Sequence, residues 1–350
     1  MQNRLADKIR GFGILASCLC LAGCSGTTGT PTAGPPSTSA YVWGSNIPTF
    51  DGGPPQTILK YSTVSPQVNS PVSTLTLPSS CNGGPITVDS NGQLYVACFS
   101  PSSSPQILVY PRNSAGAATP SRTIEMSKSS YEIATLTVDA SGRLYVGSLL
   151  ANTQVPAFLV TVYSTGANGT AAPLRTIQLP TDNGLTDVVV DSVGNIYVDG
   201  YPGHVNAGGP LSFVSVYSCY PYVAEPIRTI NFRFFTYGVG VDATGDVFVS
   251  AGVGNGGNVT AVEEYAPDAS GYASLVSTIE LPQQPAGMEV GGGPVRFDRA
   301  GNMFTPVSFG NLSTPTTYIL YSFAPDASDH AVPIVEIYPK DGYNTAFALN

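Results

Sequence analysis

Only 11% of the 350 residues carry a charge, and histidine occurs just twice. His204 and His330 could serve a zinc site or a Ser-His-Asp relay only if folding brought them together. Basic residues are scarcer than acidic ones. With Arg4, Asp7, Lys8 and Arg10 set aside, eleven lysines and arginines face twenty-two aspartates and glutamates, a formal charge of −11. A surface of that sign repels phosphate backbones, so nucleic acid is excluded as a partner. Long apolar runs are missing as well: Gly11 to Cys20 is about half the length a membrane-spanning helix needs. Beyond it no 3.6-residue apolar period is sustained, which excludes a helical domain. The chain is instead rich in the punctuation of β-structure, with thirty-eight glycines and thirty prolines, while nineteen tyrosines and 42% hydrophobic residues supply a core.

The first residues read as an address. Met1 to Arg10 is net basic and Gly11 to Cys20 has the length of a signal-peptide core. Leu21-Ala22-Gly23-Cys24 then resembles the lipobox of bacterial lipoproteins. That resemblance implies cleavage of residues 1–23, a diacylglyceryl group on the Cys24 thiol and Cys24 as the first mature residue. Several acyl chains on one residue suffice for stable anchoring. Residues 24–39 form the lipidated cysteine and a tether rich in Gly, Thr, Pro and Ser, roughly 20 Å from end to end. Ser25 lacks the acidic character that retains an inner-membrane lipoprotein in enteric-type sorting, which points to the outer membrane where a cell has two.

Residues 40–350 repeat one motif five times: apolar strand, Asp-x-x-Gly turn, second strand. The copies are Ile86–Val96, Leu136–Val146, Val188–Val198, Val239–Val249 and Val295–Thr305, with aspartates at 89, 139, 191, 242 and 298. Spacings of 50 to 56 residues suit four-stranded propeller blades and exceed a two-helix or leucine-rich unit. Aspartate bonds the backbone of its own turn and glycine accepts positive φ, so the five carboxylates have a structural role. A third strand follows each hairpin, as in Ile107–Tyr110. A fourth carries Arg122-Thr-Ile, Arg175-Thr-Ile, Arg228-Thr-Ile or Ser277-Thr-Ile. From the inside outward the strands are A, B, C and D. The recurring arginines fall on the outermost strand, where a charge protects an exposed edge.

The sixth blade comes from both ends. Tyr41-Val-Trp43, Thr57–Tyr61 and Val72–Leu77 match strands B, C and D, and the missing A strand aligns with Phe347-Ala-Leu-Asn350. The fold class is therefore all-β, a six-bladed β-propeller of four-stranded antiparallel blades closed by the C-terminal strand pairing with the N-terminal blade.

The Val-Asp-x-x-Gly-Asn-Ile-Tyr-Val unit, with Tyr265-Ala-Pro-Asp-Ala-Ser-Gly271 and Phe323-Ala-Pro-Asp-Ala-Ser328, resembles NHL-type and related six-bladed propellers of secreted bacterial proteins. The resemblance implies the fold and leaves function open, because many activities share this scaffold. It also implies that the face built from the D-to-A and B-to-C loops does most ligand work. That face, with Trp43 at its margin, is expected to present Asp51, Tyr131, Glu132, Asp187, Asp199, Tyr201, His204, Phe235, Tyr237 and Glu289. Aromatics beside carboxylates suit a glycan or peptide.

Six-bladed lactonases and gluconolactonases gather oxygen ligands around calcium at this mouth. Here the positions preceding the A strands are Pro85, Thr135, Asp187, Gly238, Pro294 and Ala346, so a Ca²⁺ site would need Glu132, Glu289 or Asn344 to reach inward. His330 belongs to a C-to-D loop on the face opposite His204, which separates the two histidines. Gly252-Val-Gly-Asn-Gly-Gly257 fits a dinucleotide fingerprint but leads into a strand, so it reads as a loop. Cys81 and Cys98 could form a disulfide if the loop before the A strand bends back. Cys219 reads as a packed thiol.

The sequence thus favours a lipid-anchored binding propeller for an envelope protein or glycan, without a catalytic set and with no required cofactor. A calcium-dependent hydrolase is the alternative and a purely structural envelope protein the third reading.

Overall fold

A computed structural model describes residues 39–44, 56–100, 103–126, 130–150, 157–180, 183–204, 208–219, 224–253, 258–283, 289–311, 314–339 and 346–350. Among the described residues there are six sheets, antiparallel within each blade, and no helix. Blade one combines Phe347–Leu349, Ser39–Gly44, Thr57–Ser62 and Ser73–Thr76, in the order A to D. The A strands of blades two to five are Asn82–Val88, Ser130–Val138, Asn183–Val190 and Phe235–Val241. In blade six the A strand is interrupted, as Glu289–Gly291 and Arg296–Phe297, both paired with Met303–Asn311. Closure is made by Ala40, Tyr41 and Val42 opposite Leu349, Ala348 and Phe347, and the Asn350 N–H donates to the Ser39 carbonyl at 3.1 Å.

The core follows from this ring. Six buried apolar clusters each draw on two adjacent blades. The closing one packs Val42, Tyr61 and Phe347 of blade one against Phe304, Leu320 and Ile337 of blade six. A blade is too thin to bury its own faces, so stability resides in the junctions between blades.

The repeat residues take up structural duties. In each turn one aspartate oxygen accepts two backbone N–H groups, as Asp89 Oδ1 does from Asn91 at 2.9 Å and Gln93 at 2.8 Å. Asp139, Asp191, Asp242 and Asp298 do the same. The glycine of each turn lies at φ between +79° and +92°. The arginines depart from the edge-protecting role expected of them, because each reaches across to the next blade. Arg122 donates to the Ala167 carbonyl at 2.9 Å, Arg175 to that of Ser218 at 2.8 Å and Arg228 to that of Ala269 at 2.8 Å. Arg122 and Arg228 also donate to the hydroxyls of Tyr95 and Tyr197, which in turn donate to Asp89 and Asp191. Turn, tyrosine, arginine and neighbouring carbonyl thus form one relay.

The D-strand edge is itself occupied. Leu75 bridges in parallel to Gly116, Ile124 to Gly169, Ile230 to Gly271 and Ile279 to Asp329, while Glu336 and Ile337 pair with Gln67 and Val68. The D strands of blades one, two, four, five and six are therefore stapled to the C-to-D loop of the following blade, including the passage from blade six back to blade one.

Candidate functional site

The A strands begin several residues earlier than the apolar pattern indicates, because a register shift interrupts the A–B hairpins at Gly83/Ile86, Leu185/Asp187 and Thr236/Val239. That moves several expected loop residues into strands. Glu132 lies in the A strand of blade three and is exposed. Asp187 and Asp199 do not present themselves on a ligand face: they are cross-strand partners in blade four, both buried. Tyr201 and Phe235 remain exposed at 46% and 41%, His204 is exposed and Tyr237 is half-buried. All four occupy the expected end of blades four and five. Trp43, Tyr131 and Glu289 are placed in strands by their backbones. Cys24, Asp51 and Asn344 lie outside the described residues.

At the channel, the Arg296 guanidinium grips both Asp187 oxygens at 2.8 Å each. The same nitrogen that meets Asp187 Oδ2 also donates to the Val239 and Val295 carbonyls at 3.0 Å. The Asp187 carboxylate further accepts the Thr135 hydroxyl at 2.9 Å and the Val239 N–H at 3.3 Å. Four consecutive blades, three to six, thus converge on one bidentate pair, the strongest geometry a carboxylate can be given. Gly238 and Gly240 permit the approach, since a Cβ on either would overlap the backbone of Pro294 or Val295. Beyond the pair, toward the Asp-x-x-Gly turns, the channel widens to a cavity of ≈ 210 Å³ lined by Thr87, Thr137, Val189, Arg296 and Ala348, among others. Arg296 was not singled out from the sequence. Its signal was there, however: the second position of the repeat reads Thr87, Thr137, Val189 and Gly240 before becoming Arg296.

Asp199 is fully buried. One carboxyl oxygen accepts the Thr236 hydroxyl at 2.5 Å and the other has no hydrogen-bond partner. Burial pushes this carboxyl well above the ordinary range; the Thr236 bond opposes the shift, the nearby Asp187 adds to it, and the Gly200 N–H opposes it. Enclosure in the blade-four to blade-five junction thus favours the protonated form of Asp199.

At the mouth, Tyr201 lies across Gly184, where any Cβ would run into its ring. Blade two repeats the arrangement with Phe99 over Gly84. Beside it Cys81 and Cys98 are joined by a disulfide, with Cα atoms 5.0 Å apart, after a turn in which the Cys81 N–H donates to the Pro78 carbonyl. The Cys219 sulfur lies 3.2 Å from the Val193 carbonyl oxygen of the blade-four turn. His330 pairs with Glu280 at 2.7 Å on a C-to-D loop, away from His204. Among the described residues no three His, Cys, Asp or Glu side chains cluster as a metal ion would need.

No protein-family model matches this chain, and no curated protein sequence matches it. Among solved structures, a protein from Lactobacillus plantarum is similar at 11% identity and a TM-score of 0.49, over 86% of this chain and 82% of that one. A eukaryotic initiation factor is similar at 10% identity and a TM-score of 0.37, over 82% of this chain and 64% of that one.

Proposed function

We propose that this chain is a lipid-anchored propeller of the bacterial envelope that binds a protein or glycan partner through the mouth of blades four and five. The observation that carries the proposal is Tyr201: a half-exposed ring held over Gly184, two residues beyond buried Asp199 and at the same end of the blades as exposed His204 and Phe235. An aromatic fixed before its ligand arrives spends little entropy on binding and can stack on a sugar face or a peptide side chain. The channel groups serve cohesion in this reading. Asp187 is consumed by Arg296, and the five repeated aspartates are consumed by their turns. The anchor rests on the Leu21–Cys24 lipobox and the Gly/Thr/Pro/Ser-rich residues after it.

The mature protein should retain one component in a screen of envelope glycans and purified envelope proteins, and Tyr201→Ala should weaken that retention about tenfold without lowering the melting temperature. Retention unchanged in both Tyr201→Ala and Phe235→Ala would place the contact elsewhere. Mass spectrometry of the N-terminal peptide tests the anchor separately: acyl mass on Cys24 supports it, and an unmodified thiol removes it.

A further inference from the structure

The end of the ring opposite Tyr201 carries a periodic feature that the binding reading leaves unused. At the start of each D strand, three residues before its buried aliphatic at 75, 124, 177, 230, 279 or 337, stands an exposed residue: Val72, Ser121, Leu174, Ile227, Val276 and Ile334 in blades one to six. Five of the six are aliphatic, exposed between 43% and 62%. In every blade but the fifth a proline precedes it. Single exposed aliphatics need no explanation on a protein surface. Recurrence at one structural position in five of six blades does, because exposed positions are mostly polar where nothing covers them.

Position in the fold supplies the occupant. D strands start at the end that carries the Asp-x-x-Gly turns and C-to-D loops. The chain enters the propeller at that same end: Ser39 and Asn350 are hydrogen-bonded neighbours, and Asn350 lies beside Gly92 of the blade-two turn. On the reading of residues 24–39 as a lipidated tether, on which this inference rests, that end is held within roughly 20 Å of the bilayer. A rim of aliphatic side chains facing a nearby membrane gains by entering its interface. The net negative charge of the chain argues against attraction to anionic headgroups, so the contact is apolar.

We propose that the rim formed by Val72, Leu174, Ile227, Val276 and Ile334 rests on the lipid bilayer, seating the propeller turn-face down and directing Tyr201 away from the membrane.

The test uses the mature lipidated protein in phosphatidylcholine vesicles, with nitroxides introduced through Leu174→Cys, Ile227→Cys and Val276→Cys, and through Glu132→Cys at the opposite end. Oxygen accessibility relative to an aqueous relaxant should rise at the three rim sites and stay at its solution value at 132. Rim labels that match the label at 132 overturn the proposal. Should Cys24 prove unmodified, the anchoring reading fails by itself, and the same labels on the unlipidated protein with added vesicles still decide the matter: immersion supports the rim and its absence overturns it. The combined L174S, I227S and V276S variant should lower vesicle affinity of the unlipidated protein at least about tenfold, whereas unchanged affinity counts against the rim.

Discussion

Deleting Phe347 to Asn350 should unfold this protein or nearly so. Phe347 and Ala348 are buried, and each belongs to a different core cluster, so both junctions of blade one lose a member. Removing a buried phenylalanine costs about 3–5 kcal/mol. Each backbone hydrogen bond lost along Ala40 to Val42, together with the Asn350 to Ser39 bond, adds about 1 kcal/mol. The total, about 6–9 kcal/mol, is comparable with the whole stability of a typical domain. At roughly 2–4 °C per kcal/mol the midpoint should fall by at least about 12 °C, and Phe347→Ala alone should account for about half of that. Thermal melts followed by circular dichroism, with urea titration as a second probe, measure both. A deletion that moves the midpoint by less than about 3 °C would refute closure by this strand as the source of the ring's cohesion.

Asp199 sets a pH dependence of definite sign. Its folded pKa lies above the unfolded value of about 4, so it withdraws stability progressively as pH rises from that value through the folded one. Asp199→Asn should therefore be more stable than the parent at neutral pH, with a gap that closes toward pH 4; a constant gap in urea melts across that range contradicts this. Arg228→Ala should cost about 1–3 kcal/mol and Arg228→Lys somewhat less, since lysine cannot serve Ala269 and Tyr197 together. A loss within 0.5 kcal/mol in denaturant titration, the usual range for bare surface positions, would restore the edge-protection role. Gly169 and Asp329 occupy equivalent staples at φ +58° and +49°. Gly169→Ala should cost about 1 kcal/mol while Asp329→Gly changes little, because aspartate tolerates the left-handed region and the strain relieved is offset by the greater backbone freedom of glycine in the unfolded chain. Equal effects on the two melting curves would show the staple to be indifferent to backbone conformation.

The blade count, the turn chemistry and the closing strand were legible because each rests on local pattern: Asp and Gly at fixed offsets, and Phe347-Ala-Leu-Asn aligned with Ile86-Thr-Val-Asp. The channel was not. Asp187 reads as a loop carboxylate because the register shift after Leu185 breaks the two-residue alternation on which strand limits depend. Its partner Arg296 is 109 residues away, a distance over which no spacing rule operates. Asp199 follows Tyr197-Val198 on an apparently ordinary strand, and only the approach of Thr236 from the next blade reveals it as an interior acid. The arginines failed for the same reason: one blade shows a bare edge, and the carbonyl that covers it belongs to the next repeat.

Since Asn350 donates to Ser39, the gap between the first and last strands of the ring is a seam that the fold scarcely registers. Joining Asn350 to Ser39 and reopening the backbone at another Asp-x-x-Gly turn should yield the same propeller with its entry point moved to a different blade. A fatty anchor grafted onto such a permutant would hang from a new sector of the same rim, swivelling the partner-facing mouth about the ring axis without turning it over.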